Sequence, residues 1–358
     1  MKYLYIASTR AFSGKSLITL GLGLMFKEEG YRIGYIKPIG KTPLKYKNKY
    51  VDADADFMGT ALGLKDPTDV ISPFVVTFES QNRLLHGKPS DNFEHVVKAF
   101  KNIKGRSVVL VGGAAEFFEG SSFGVNALKI IKHVDAMTLV VEPWEGDSTI
   151  DSLMGVKEFL GNYFLGAVIN KIPESAHNHI KKLVRPFLEK KGIPVFASLH
   201  RDILLDSVTV RQLNTILNGK VLCRKDRLDE FIENFSIGAM DVDSALKYFR
   251  RTPNKAVITG ANRSDIQLAA LETSTKCIVL TGGMFMNDVI LGKAKAQDVP
   301  IISTSDDTYT TVEKIESVLG KIRIREQKKI LKTKEIVSKE FDFNRLLKAL
   351  KINQKEVK

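Results

Sequence analysis

Along the first two hundred residues, short apolar runs alternate with longer amphipathic ones. The runs Tyr3–Ala7, Arg32–Ile36, Ser107–Val111, Met137–Val141, Leu165–Ile169 and Ile193–Ala197 are mostly continuous and rich in β-branched residues. That is the pattern of strands covered on both faces. Helical periodicity between them predicts helices at Gly14–Glu29, Ala53–Leu62, Phe93–Asn102, Asn126–His133, Ile150–Leu160 and Ala176–Lys190. Such an order implies right-handed crossovers and a parallel sheet with helices on both faces. Residues 1–205 are therefore expected to form one α/β domain.

A second, smaller α/β domain is expected over 206–322. Phe235–Arg251 reads as a helix, Lys255–Thr259 as a strand, Asp265–Thr273 as a helix and Cys277–Thr281 as a strand. Asn287–Gln297, Pro300–Ser303 and Thr308–Leu319 continue as helix, strand and helix, with Arg201–Arg227 joining the two units. In the tail, 323–358, the positions of Phe343, Leu346, Leu347 and Leu350 predict an amphipathic helix over Phe341–Ile352.

Composition agrees with two folded cores: 358 residues, 44% hydrophobic and 27% charged. No apolar run approaches the roughly 18 residues of a membrane span, and the N-terminus has no signal-like apolar core. Cys223 and Cys277 are the only cysteines, widely spaced in apolar surroundings, so a reducing cytoplasm is expected. The formal charge is +13, but residues 323–358 hold 12 Lys/Arg against 5 Asp/Glu, a net +7. The body is thus only mildly basic. The tail reads as a solvated extension or as a helix docked on its own or a partner subunit. Nucleic-acid and membrane partners are disfavoured, because no aromatic interleaving accompanies the charge.

The chemistry concentrates in Ser8-Thr9-Arg10-Ala11-Phe12-Ser13-Gly14-Lys15-Ser16, which leaves the first strand and opens the first long helix. In that setting backbone N–H groups cradle phosphate oxygens, Lys15 neutralises the outer phosphates and Ser16 reaches Mg²⁺. The strict G-x-x-x-x-G-K-[ST] pattern fails at its first position, where Thr9 stands. Lys37 closes a strand, at the sheet edge where open α/β folds bind ligands, and Pro38 keeps that turn extended. Asp52, Asp54 and Asp56 read equally as a metal site or as an acidic helix start favoured by the helix dipole. His177 and His179 are two apart near a helix start, and such side chains diverge. Trp144 follows a strand, either lining the cleft or packing as a loop aromatic.

Thr9-x-x-x-x-Gly14-Lys15-Ser16 resembles the phosphate loop of dethiobiotin synthetase-like proteins, and further matches follow in order over about residues 1–200. The resemblance implies ATP and Mg²⁺, with Thr9, Arg10, Ser13, Gly14, Lys15 and Ser16 around the nucleotide. It implies that Lys37 faces phosphate and substrate, that Asp54 binds the metal beside Ser16, and that Asn170 sits beside the base. Lys15 and Lys37 are then the catalytic pair. The family's third strand ends in a carboxylate motif, whereas this chain has Gly112 there; Glu116 is the candidate replacement for the metal. The turn Ser198-Leu199-His200 also departs from the family, and Arg10 adds a cation to the loop.

Gly260-Ala261-Asn262-Arg263-Ser264-Asp265, Leu280-Thr281-Gly282-Gly283 and Val299-Pro300 resemble the DRTGG domain. Gly282 and Gly283 supply permissive turns and Arg263 a charge partner for an anionic metabolite, or else a turn cap. Ser264-Asp265 reads also as a helix cap. Together the two modules resemble the N-terminal region of long bacterial phosphotransacetylases, whose acetyl transfer belongs to a further domain, so that activity is not expected. The expectation is a cytoplasmic, homo-oligomeric, Mg-ATP-binding P-loop protein that acts as a regulatory or sensor module. The alternative is a dethiobiotin-synthetase-like ligase that activates a carboxylate or carbamate by phosphoryl transfer.

Overall fold

The six apolar runs pair side by side as β1 (Lys2–Ala7), β2 (Ile33–Ile36), β5 (Val108–Gly112), β6 (Met137–Pro143), β7 (Phe164–Ile172) and β8 (Val195–His200). The computed structural model describes residues 1–46, 49–88, 92–283, 287–318 and 324–352. Leu319, Arg323 and residues 353–358, named above in the last helix and the tail, lie outside them. The strand order is β2-β5-β1-β6-β7-β8, and every pairing is parallel. Leu4, Ile6, Val108 to Val111 and Leu139 to Val141 are fully buried, as strands covered on both faces require. Each such side chain contributes roughly 1.5–3 kcal/mol by leaving water. Because the strands are parallel, their carboxyl ends share one edge, with β1 at the centre.

Between β2 and the helix Ala53–Ala61 lies a hairpin that the pattern does not predict, β3 (Pro43–Tyr46) with β4 (Lys49–Asp52). All four residues of β3 are exposed, so no alternation marks it. The expected helix over Ala176–Lys190 is not uniform. A π turn at Ile180–Val184 precedes Pro186, which cannot donate to the helical ladder.

The chain divides into two compact units, residues 1–201 with 324–358, and residues 202–323. In the second, β10 (Lys220–Cys223), β12 (Asn234–Ile237), β13 (Lys255–Gly260), β14 (Thr275–Thr281) and β15 (Ile301–Ser303) form a sheet ordered β10-β15-β14-β13-β12. Only β10 runs antiparallel. The short strands β9 (Val208–Thr209) and β11 (Phe231–Ile232) pair separately. The single helix expected over Phe235–Arg251 is wrong in its first part. Asn234–Ile237 is an edge strand, and the helix begins at Val242, where the Asp241 carboxylate accepts from the Ser244 N–H at 2.9 Å. Its edge position leaves β12 only partly buried, so no apolar run distinguishes it. The connector Arg201–Arg227 likewise carries a helix, Val210–Leu217, and the edge strand β10.

The tail belongs to the first unit. The helix Lys15–Glu28 is apolar around most of its circumference, which calls for burial on more than one side. A second helix, Gln327–Glu340, packs against it, with Val337 fully buried. A Cβ at Gly21 would come within 2.5 Å of Val337, so a glycine there permits the close approach. The expected amphipathic helix runs over Phe343–Ala349, with Leu346 and Leu347 buried and Phe343 edge-on to Phe26 at 4.8 Å. Arg345 forks onto Glu189 at 2.6 and 2.8 Å. Docking on its own unit is thus the tail reading that the structure supports. Val337→Ala is expected to lower the unit's stability by about 2 kcal/mol. Gly21→Ala should also destabilise it, against alanine's better helix propensity. In the double variant only part of the loss should return, because truncation removes both γ-carbons but leaves the residue's Cβ 2.6 Å from the new methyl; denaturant titrations of the four proteins check this.

Candidate functional site

The loop from Ser8 to Gly14 leaves the buried end of β1 and enters the helix Lys15–Glu28. Gly14 is left-handed, with φ +100°, and a Cβ there would lie 2.0 Å from the Asn170 amide nitrogen. Glycine is therefore required twice, by backbone and by space. Asn170, at the end of β7, donates through Nδ2 to the Ser13 carbonyl at 2.9 Å and fastens the loop. Phe12 is left-handed as well, with φ +58°. This curl ends at the first N–H groups of the helix, the arrangement that receives phosphate.

Lys15 folds back over the loop. Its ammonium donates to Ser8 Oγ at 2.7 Å, Ala115 O at 2.8 Å and Arg10 O at 3.3 Å, all neutral oxygens. Burial pushes its pKa down to about 8, against the pull of the Glu142 and Glu119 carboxylates. Ser13 is fully buried, and among the described residues its hydroxyl has no partner. A buried hydroxyl without a partner and an ammonium without a hydrogen-bonded carboxylate both suit an anionic ligand. Ser16 is exposed at the start of the helix.

The other cations of the site are paired. Arg10 meets Glu145 and reaches Ser148 Oγ at 3.3 Å. Lys37 bonds Asp52 at 2.8 Å and Asp54 at 3.3 Å. Arg325, from the tail, lies 3.5 Å from Asp54 and donates to Ala53 O at 3.1 Å. Asp52 is the buried N-cap of Ala53–Ala61, accepting from the N–H groups of Asp54 and Ala55, each at 3.0 Å. Burial alone would raise its pKa, yet Lys37 and hydrogen bonds from Thr42 and Ala55 hold it below the usual aspartate range. Asp56 is exposed.

Of the three expected metal ligands, Ser16 and Glu116 are exposed and Asp54 is half-buried. Asp54 is engaged by Lys37 and Arg325. Glu119 instead turns onto the loop, accepting from the Ala115 N–H and pairing with Lys41. Among the described residues no three His, Cys, Asp or Glu side chains cluster as a metal would need. Gly112 is explained by packing: a Cβ there would lie 2.8 Å from the Tyr35 hydroxyl. Tyr35 is buried on β2. Burial and the nearby Asp52 and Asp54 push its phenol well above its ordinary pKa.

Beside Asn170, the Trp144 backbone N–H donates to the Asn170 backbone carbonyl at 2.8 Å, and the indole ring is 6.0 Å from the His179 ring. His177 lies against His200 instead, at 4.4 Å, so the two histidines diverge. In the second unit, Arg263 is engaged by Asp265 at 2.9 and 3.0 Å and by Met240 O at 2.9 Å. The Gly282 and Gly283 N–H groups donate to Asp306 O and Thr304 O. The donors expected to bind an anion there are thus used within the unit.

Four site residues escaped the sequence reading: Glu142, Glu119, Tyr35 and Arg325. Both oxygens of Glu142 accept from Thr9, from the N–H at 2.6 Å and the hydroxyl at 2.9 Å. The signal for it was a lone carboxylate closing an apolar strand, Leu139-Val140-Val141-Glu142, at the ligand edge of a parallel sheet. No comparable signal marks Arg325, which reaches the site only through the tail's docking.

A buried parallel strand, a Gly-Lys-Ser turn and a helix at the carboxyl edge define an α/β domain of the P-loop class. The profile of the AAA domain family matches residues 2–209, and the chain belongs to that family. The DRTGG domain profile matches residues 212–318. The phosphate acetyltransferase of Synechocystis sp. is 23% identical over 367 residues, 97% of this chain and 52% of that protein. The ATP-dependent dethiobiotin synthetase BioD of Clostridium perfringens is 23% identical over 229 residues, 61% of this chain and 99% of its own. The chain spans about half the length of the phosphate acetyltransferases it matches. Among solved structures, the CBS and DRTGG domains of the regulatory region of Clostridium perfringens pyrophosphatase give a TM-score of 0.29 at 22% identity, over 33% of this chain and 49% of that one. Among the described residues no helix is long and apolar enough to cross a membrane.

The packing of Gly112 makes a direct prediction. Gly112→Ala should cost about 1–3 kcal/mol of stability through the clash with Tyr35. Adding Tyr35→Phe, which removes the nearest atom, should return part of that loss in denaturant titrations.

Proposed function

We propose that the first unit binds ATP in the loop Thr9–Ser16, with Mg²⁺ carried on the phosphates and Ser16 as its protein ligand. The carrying observation is the Lys15 ammonium, largely buried among Ser8 Oγ, Ala115 O and Arg10 O, with no carboxylate among the described residues hydrogen-bonded to it. Phosphate oxygens supply the charge that these neutral acceptors lack. Asn170 and Trp144 flank the place for the base.

The chain then works as a nucleotide-dependent regulatory or sensor module, with the DRTGG domain as the place for a second, small ligand. Two features favour regulation over catalysis. Tyr35 fills the space beside Gly112, and Asp54 is held by Lys37 and Arg325 rather than turned out for a metal. A second reading rests on Lys37, whose charge reaches Lys15. Two cations at the carboxyl edge suit phosphoryl transfer to a carboxylate or carbamate, the chemistry of a dethiobiotin-synthetase-like ligase.

Thermal unfolding with and without Mg-ATP tests the binding. A nucleotide at about 100 times its Kd should stabilise the protein by about 2.7 kcal/mol, and Lys15→Ala should abolish the shift. Trp144 is the only tryptophan of the chain, so its fluorescence should change in the same titration. No response to any nucleotide would remove the proposal. ATP turnover separates the two readings: a sensor binds with negligible phosphate release, whereas a ligase releases phosphate when offered a carboxylate with an amine, and loses this in Lys37→Ala.

A further inference from the structure

Glu142 is almost fully buried at the end of β6, 1% exposed, and among the described residues both hydrogen bonds to its carboxylate come from Thr9. A carboxylate so placed normally has a cation bonded to it. Here the two nearest cations are engaged elsewhere: Arg10 with Glu145 and Ser148, Lys15 with Ser8, Ala115 O and Arg10 O. The other charged groups around the loop are Glu116 and Glu119 after β5, and Lys37 after β2. Burial lifts the Glu142 carboxyl above the ordinary glutamate range, against the hydrogen bonds from Thr9 and the charges of Arg10 and Lys15.

Thr9 suits both protonation states of this acid. With Glu142 ionised, the Thr9 N–H and hydroxyl both donate, as the distances record. With Glu142 neutral, one oxygen still accepts the N–H and the acid proton is donated to Thr9 Oγ, since a hydroxyl both gives and accepts. Glycine at this position would offer the N–H alone. Resting on the nucleotide reading, we propose that Glu142 is a positioning residue that holds the phosphate loop through Thr9 and takes up a proton when nucleotide phosphates bind beside Lys15. Two anions then compete for one small cationic site, and the protonated acid withdraws from the competition without releasing the loop.

The sign of the pH dependence follows. Phosphates near Glu142 raise its pKa further in the complex, so affinity is flat below the free-state pKa, falls between the free and bound values, and is flat again above. Mg-ATP titrations of the full chain from about pH 5 to about pH 8 should show a decline of up to tenfold per pH unit inside that window. Glu142→Gln keeps both hydrogen bonds to Thr9 and imitates the neutral acid. It should bind more tightly than wild type at neutral pH and lose the part of the pH dependence that neither the nucleotide's own titration nor that of Lys15 explains. Calorimetry of the wild type in two buffers of different ionisation enthalpy reads the proton directly and needs no variant. Net uptake inside the window is expected, and smaller uptake in Glu142→Gln, where only Lys15, its pKa about 8, remains to gain a proton toward the upper end of the range. Equal affinity and equal proton counts in the two proteins, with both binding, would overturn the Glu142 assignment and leave the nucleotide site standing. Failure of the wild type to bind at any pH would bring down both.

Discussion

A largely buried lysine ammonium, with no carboxylate among the described residues bonded to it, is the constraint around which the first unit is arranged. Lys15 rests on three neutral oxygens, two of them backbone carbonyls, and its proton is held less tightly than in water. The neighbouring cations are in the opposite condition: Arg10, Lys37, Lys41 and Arg325 each face an acid. The field at the carboxyl edge is therefore uneven, and a multiply charged anion gains most at one point. Local dielectric makes that difference count, because opposite charges attract more strongly where water is displaced.

The acids are distributed as purposefully as the cations. Asp52 ties together the turn after β2 and the start of the next helix by accepting from four backbone N–H groups. Glu119 fixes the loop after β5, and Glu142 fixes the first residue of the phosphate loop. None of the three hydrogen-bonds Lys15. They hold the backbone that surrounds it, so the curl of the loop rests on the protein's own hydrogen bonds.

What the sequence reveals follows from how far apart interacting residues lie. The strands of the central sheet are legible because burial on both faces writes itself as a continuous apolar run, as in Val108 to Val111. Edge elements are not: β3 is exposed, β12 half-buried, and neither leaves a period to read. The phosphate loop is legible because its parts are contiguous. The Glu142–Thr9 pair spans 133 positions and exists only once β6 lies beside β1. Gly112 looked like a lost carboxylate; its reason is the Tyr35 ring of a neighbouring strand, a packing fact that no local pattern contains.

The tail's docking has a consequence for how the molecule is made. The first unit is discontinuous: residues 202–323 are synthesised between its body and its last helices. At ~5–20 residues per second that interval lasts on the order of 10 s. Throughout it the outer side of Lys15–Glu28, the helix that carries the phosphate loop, waits for Val337 and Phe343. The nascent unit thus shows an apolar face to its surroundings until the segment that carries Val337 and Phe343 has been made.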